Sequence, residues 1–244
     1  MITYDADFQI FASSLINKPG YFSGFTTRAV GDGRKTSTIS NFLNLSEIKY
    51  QKVVIPEQIH SANVAIFRNR DRENYAKIEE TDGVITQDNE VVLTTVTADC
   101  CPMIFKDEMT GTIGISHVGW RGSLKRMPQK MVARMEEVGS RPENIAAAIG
   151  PTIGDCCYDV TDDRYYQFLE EDESQATQVF NHHGGKWHLN LAFLNYLLLR
   201  EVGIKKENID HFPFCTKCDR RFFSYRRDKK EDYGEMFSFV VKSV

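Results

Sequence analysis

Apolar residues in this chain fall into short runs of strand length more often than into helical stripes. The two strongest runs are Val91-Val92-Leu93-Thr94-Thr95-Val96-Thr97 and Ile113-Gly114-Ile115-Ser116-His117-Val118. Both are predicted as buried neighbouring strands, since a fully covered strand reads as a near-continuous apolar run. The first is expected to continue through Ala98-Asp99-Cys100-Cys101-Pro102, and residues 106–111 form a polar turn between the two. Further strands are predicted over 53–60, 63–67, 81–86, 144–149, 209–212, 222–225 and 237–241. Pro56 marks a bulge or edge.

Helical spacing appears twice. Leu124, Met127, Met131, Met135 and Val138 share one face and Gly139 follows as a stop, predicting a helix of about four turns. Asn190 caps a second, with Leu191, Leu194, Leu197, Leu198 and Val202 apolar and Gly203 as its stop. A third is expected over 162–171. Residues 1–20 read as irregular or edge structure, 31–37 as a polar loop without P-loop spacing, and 68–80 as a charged exposed stretch. Strand pairs mixed with single helices indicate α+β architecture, mixed β-sheets flanked by helices, rather than a regular βαβ alternation.

The chain has 244 residues, with 41% hydrophobic content and a net charge of −4. No long basic block is present, so nucleic acid is not an expected partner. No apolar run is long enough to span a bilayer, and the N-terminus lacks signal-peptide character, so no membrane partner and a cytoplasmic location are expected. The six cysteines fall in three close pairs. In a reducing compartment these read as metal ligands, a catalytic thiol or buried hydrophobes rather than disulfides. Cys215-Thr216-Lys217-Cys218 has the look of half a zinc knuckle, but Cys156-Cys157 lacks the spacing of a second half, so partly buried free thiols are expected. His182-His183 reads as a solvated loop.

His60, Cys100 and His117 stand at or near the ends of predicted strands, separated by 40 and 17 residues. One Cys and two His is a ligand set for catalytic zinc with an open fourth position. The spacing matches no compact zinc motif, and each residue taken singly reads more readily as a structural core group than as a ligand. Gln58 and Asp99 precede two of the three, where groups that orient ligands are commonly found. Gly119-Trp120-Arg121-Gly122 opens a helix at a point where the backbone can approach an anion. It reads equally as a tight turn plugged by Trp120.

Gln58-Ile59-His60-Ser61, Thr81-Asp82-Gly83-Val84-Ile85-Thr86, Thr97-Ala98-Asp99-Cys100-Cys101-Pro102, His117-Val118-Gly119-Trp120-Arg121-Gly122 and Ile149-Gly150-Pro151-Thr152-Ile153-Gly154-Asp155-Cys156-Cys157-Tyr158 occur in that order. With Thr26-Thr27-Arg28 and Phe223-Ser224-Tyr225-Arg226 they resemble the YfiH/laccase-domain family over nearly the whole chain. The family carries two labels, multicopper polyphenol oxidase and purine nucleoside phosphorylase.

The resemblance implies one YfiH-like domain over residues 1–244 and a zinc held by His60, Cys100 and His117. It further implies phosphorolysis of adenosine, inosine, guanosine and methylthioadenosine, with deamination of adenosine. Purine nucleosides and phosphate are then the expected partners. Arg28 and Arg226 become candidates for phosphate, Trp120 and Gln58 for lining the site, and Asp99 for orienting a ligand or moving a proton. Where the family often has Gly-Arg, this chain has Gly234-Glu235. Two other readings use the same residues: a copper-dependent, laccase-like polyphenol oxidase, and a cysteine hydrolase of cell-wall precursors with Cys100 as nucleophile. A purely partner-binding protein has no positive feature in the sequence.

Overall fold

A computed structural model describes residues 1–69 and 73–243. Two mixed sheets lie face to face. The seven-stranded sheet runs Ile2–Asp5, Ile10–Ser13, Tyr21–Thr26, Met236–Lys242, Val91–Thr97, Lys52–Pro56, Tyr75–Ile78. The six-stranded sheet runs Ile209–His211, Ala146–Ile149, Cys101–Asp107, Thr112–Val118, Gly83–Thr86, Val64–Ile66. A small third sheet pairs Lys186–Leu189 with Asp159–Val160 on one side and Phe180–His183 on the other. The α+β expectation with mixed sheets holds.

Alternation along the central strands explains the layering. Val54 and Leu93 of the first sheet meet Ile104, Ile113 and Ile115 of the second. Their strand neighbours Val53 and Val92 turn outward beneath Ile39, Phe42 and Leu43 of the helix Thr36–Leu45. On the far side Met103 and Phe105 pack under Met127, Met131 and Met135 of the helix Met127–Glu137 and under Leu194 and Leu198 of the helix Leu191–Glu201. Each central strand is therefore covered on both faces, which is why it is apolar throughout. No helix among the described residues is long and apolar enough to cross a membrane.

Several expectations change. Residues 91–102 are not one strand. The first strand ends at Thr97 in one sheet, and a new one starts at Cys101 in the other. Between them Asp99 adopts a left-handed backbone, φ 84°. The hairpin partner of Thr112–Val118 is therefore Cys101–Asp107, with His117 opposite Pro102. The Met-rich stripe is likewise two helices, Trp120–Leu124 and Met127–Glu137, broken at Arg126 with φ 59°.

Residues 222–225 form no strand: the N–H of Phe222 closes a turn on the Asp219 carbonyl, and those of Phe223 and Ser224 go to the side chains of Met236 and Asp228. The polar 31–37 loop ends inside the helix Thr36–Leu45, and residues 1–20 contain an edge hairpin. Asn190 caps its helix as expected, accepting from the Phe193 N–H at 3.0 Å. His182 and His183 sit in a strand. Of the charged 68–80 stretch, Tyr75–Ile78 is a strand, and 70–72 lie outside the described residues.

Candidate active site and metal centre

Lys52–Pro56 and Val91–Thr97 are parallel neighbours, so both chains leave the sheet at the same edge. One exit leads to His60 and the other to Cys100. The strand Thr112–Val118 of the second sheet delivers His117 to the same place. One ligand atom from each lies within 4.8 Å of the others. The two imidazole rings meet edge to face at 4.7 Å. Gly119 is required here: a Cβ on it would come within 3.0 Å of His60 Nδ1 and 3.1 Å of Cys100 Sγ. The Gly119-Trp120-Arg121-Gly122 turn thus gives the cluster room.

Asp82 organises this cluster, and nothing in the spacing pointed to it. It is fully buried and takes five hydrogen bonds. One oxygen accepts from the backbone N–H of Ile59 at 3.2 Å, the N–H of Ser61 at 2.7 Å and Ser61 Oγ at 2.6 Å. The other accepts from the His60 N–H at 3.1 Å and from His117 Nδ1 at 2.8 Å. These bonds hold His60 in its left-handed backbone, φ 57°. They also fix the His117 tautomer, leaving Nε2 free to act as a ligand.

Charge in the cluster is mutually reinforced. Burial would raise the Cys100 thiol, but the facing His117 and His60 rings outweigh it and bring it down to about 7. Burial would lower His117, yet the Cys100 thiolate and Asp82 push it up to about 10. Burial also opposes ionisation of Asp82, and the bonds from His117 and Ser61 overcome this, lowering it to about 2. The Cys100 thiolate, the His117 imidazolium and the Asp82 carboxylate each favour the charged form of the next. A cation bound between Cys100 and His117 takes the place of the proton they share. One thiolate and two imidazoles suit zinc or copper, and among the described residues no fourth ligand closes the group.

The cluster lies in a cleft of ≈ 720 Å³ whose lining includes Gln58, Asp99, Trp120, Tyr158, Arg226 and Glu235. Arg28 does not line it; its guanidinium lies over the Phe223 ring. Arg226 does, but its fork is engaged with Asp159, at 2.8 Å to Oδ1 and 3.1 Å to the carbonyl.

Asp99 is saturated: its carboxylate accepts from Thr216 Oγ1, Ser224 Oγ and the Arg226 N–H, and its carbonyl from Thr152 Oγ1 and the Ile153 N–H. It is placed to hold the sheet-to-sheet crossover rather than to move a proton. Gln58 is likewise tied to Thr95 and Val96. Trp120 is covered by two guanidiniums, Arg164 at 4.2 Å and Arg121 at 4.6 Å. Arg164 and Arg121 both line the cleft, and Arg164 Nε is buried without a hydrogen-bond partner. Sequence reasoning passed over Arg164 because it lies in an acidic helix with no motif around it. Glu235 accepts from Tyr233 Oη at 2.6 Å and adds a negative charge to the rim. Burial, with Glu235 beside it, keeps the Tyr233 phenol protonated, and burial pushes Tyr158 up to about 12.

Cys156, Cys157, Cys215 and Cys218 are free, as expected, but the fold gathers them into a second cluster, which their spacing did not indicate.

The chain is similar in sequence and fold to several known proteins. The chain is 34% identical over 198 residues to purine nucleoside phosphorylase YlmD of Bacillus subtilis, covering 78% of this chain and 70% of that one. It is 32% identical over 203 residues to adenosine deaminase RL5 from an unknown prokaryotic organism, covering 80% and 76%. Its fold superposes on the crystal structure of hypothetical protein YfiH of Bacillus licheniformis with a TM-score of 0.89 at 26% identity, over 99% of both chains. YlmD of Geobacillus stearothermophilus gives 0.82 at 26% identity, over 100% of this chain and 99% of that one. The family described as multi-copper polyphenol oxidoreductase laccase matches residues 19–243, so this chain belongs to that laccase-domain family, as its ordered motifs implied.

Proposed function

We propose that this chain is a zinc-dependent purine nucleoside phosphorylase that also deaminates adenosine. The observation that carries the reading is the His60–Cys100–His117 group, open on its cleft side and facing a rim of guanidiniums. The donor set fits the metal: the Nε2 lone pair, the thiolate and the second imidazole converge, and no further side chain competes. Zinc held there would supply Lewis-acid activation of a bound oxygen nucleophile.

The chain's own residues supply the rest. Arg164 and Arg121, which line the cleft beside Trp120, offer guanidinium N–H donors for phosphate. Tyr158 remains a neutral phenol at working pH and donates a hydrogen bond to a hydroxyl or a ring nitrogen, while Tyr233, whose proton goes to Glu235, orients that carboxylate. Glu235 accepts from a ribose hydroxyl or an exocyclic amine, replacing the cation usual in the family. Asp99 and Gln58 position the walls. The substrates that suit this lining are adenosine, inosine, guanosine and methylthioadenosine, with phosphate.

The laccase reading finds less support. Six histidines are present; His182, His183 and His188 belong to the small sheet, His211 to a sheet edge, and only two reach the metal group. The cysteine-hydrolase reading draws on the thiolate–imidazolium pair and is separated by metal content. Zinc-loaded protein should convert inosine to hypoxanthine and ribose 1-phosphate only when phosphate is present. Release of free ribose at the same rate without phosphate, or full turnover after the metal is stripped, refutes the proposal.

A further inference from the structure

The second cysteine cluster is built from two turns. Residues 154–158 carry Cys156 and Cys157, and residues 215–219 carry Cys215 and Cys218. The turns are clipped together by an isolated bridge between Thr152 and Cys215 and by the Thr216 N–H donating to the Thr152 carbonyl at 3.1 Å. All four sulfurs lie within 4.8 Å of one another. Cys218 Sγ is 3.8 Å from Cys156 Sγ and 3.4 Å from Cys157 Sγ. Four sulfurs bound tetrahedrally to zinc at about 2.3 Å stand about 3.8 Å apart. The cluster has nearly that spacing.

Two further features favour a cation. The backbone N–H groups of Gly154, Lys217 and Cys218 are aimed at Cys215 Sγ. Donors two and three residues beyond a cysteine are the arrangement that steadies a thiolate within a C-x-x-C turn. Gly154 leaves the space for it: a Cβ there would come within 3.1 Å of Cys215 Cβ and 3.3 Å of Cys156 Sγ. Four thiols grouped this closely in a folded protein repel as thiolates unless a cation neutralises them.

We propose that Cys156, Cys157, Cys215 and Cys218 form a second, structural metal site that takes a thiophilic divalent ion, zinc foremost. Four protein ligands close it, unlike the three-ligand group in the cleft, so it binds metal for shape and not for turnover. Its role follows from what the two turns touch. Thr216, inside the C-x-x-C turn, and Thr152, beside the other, both bond Asp99. The Cys156–Cys157 turn runs directly into Tyr158 of the cleft wall. The site therefore braces that wall from behind.

The test needs no activity measurement, so its outcome is independent of the functional reading above. Full-length protein prepared under reducing conditions, loaded with zinc and desalted should hold about two zinc ions per chain. Cys156→Ser with Cys218→Ser should lower this to about one, as should His60→Ala with Cys100→Ala, each pair emptying a different site. If the first pair prevents folding, cobalt decides. In the His60→Ala, Cys100→Ala protein, cobalt should retain the intense charge-transfer absorption of a four-thiolate site. The proposal is overturned if that protein binds no cobalt or zinc. It is equally overturned if the native chain holds one zinc that the Cys156→Ser, Cys218→Ser pair leaves in place, or if an intact mass short of two hydrogens shows Cys157 and Cys218 joined as a disulfide.

Discussion

Replacing Asp82 by Asn tests how the metal group is held. The substitution barely changes shape but removes the charge and turns one acceptor oxygen into a donor. Three donors converge on one oxygen, so the amide carbonyl should stay there and the NH2 should face His60 N–H and His117 Nδ1. His117 Nδ1 must then accept, which moves its proton to Nε2 and occupies the lone pair a metal needs. Loss of such an orienting partner typically costs 10- to 100-fold in metal affinity, about 1.4–2.7 kcal/mol. The metal-free protein should also lose about 3 kcal/mol of stability, because a buried charged pair is broken and the His60 N–H faces a donor. Competition against a chromophoric zinc chelator at neutral pH measures the first, and urea unfolding of the stripped protein the second. Ser61→Ala is the control: it removes one donor to Asp82 but leaves His117 its partner, so about 1 kcal/mol of stability should go with affinity unchanged. If Asp82→Asn binds zinc within about twofold of the native protein, tautomer control by this carboxylate is wrong.

The pH dependence of the metal-free protein should show opposed contributions. Asp82 stabilises fully above its unfolded value of 3.8 and loses this as pH falls through about 2. His117 stabilises fully below 6.5 and loses it as pH rises through about 10, whereas Cys100 stabilises above 9.0 and loses it as pH falls through about 7. The last two offset between pH 7 and 9, so urea midpoints of the stripped native protein should be level there; a falling native midpoint would contradict the pairing. Cys100→Ala should lose zinc from the cleft and all activity, whereas Cys101→Ala, buried and outside the metal group, should keep both and lose about 1 kcal/mol of stability, read from zinc content and unfolding. Arg164→Ala should raise the phosphate KM about tenfold or more with less effect on nucleoside KM, and Arg28→Ala should change neither; equal effects of the two would count against Arg164 as the anion site.

Central strands were legible because burial on both faces leaves an unmistakable apolar run. The run could not reveal where one strand stopped and another began. Thr97 and Cys101 are both buried, and the break between them depends on Asp99 being held by Thr216 and Ser224, more than a hundred positions away. The helix Thr36–Leu45 stayed hidden because it opens on polar residues that continue the polar 31–37 stretch. His60, Cys100 and His117 were found as a set through ordered motifs, since spacing alone left each an ordinary core residue. Asp82 stood inside a quoted motif yet carried no sign of its role, because a carboxylate that satisfies backbone N–H groups resembles any turn aspartate. Arg28 looked suitable and faces elsewhere, whereas Arg164 looked unremarkable and faces the cleft. The four clustered cysteines were invisible to a search for regular knuckle spacing, because one of their two turns supplies adjacent residues.

The crossover at Asp99 has a consequence for the order in which this protein matures. Cys100 adjoins the hairpin of Cys101–Asp107 with Thr112–Val118, which carries His117, but His60 follows a strand of the other sheet, so the three-ligand group is complete only when the two sheets have docked. In the unfolded chain they are separated by 40 and 17 residues, and loop closure opposes their meeting. The unfolded chain should thus hold zinc in the cleft site poorly, and the ion's binding energy should favour the native state almost undiluted. Loading of that site is then a late event that follows the docking of the two sheets. Under the proposed zinc reading, a cell short of the ion should accumulate folded protein whose cleft site awaits only the metal.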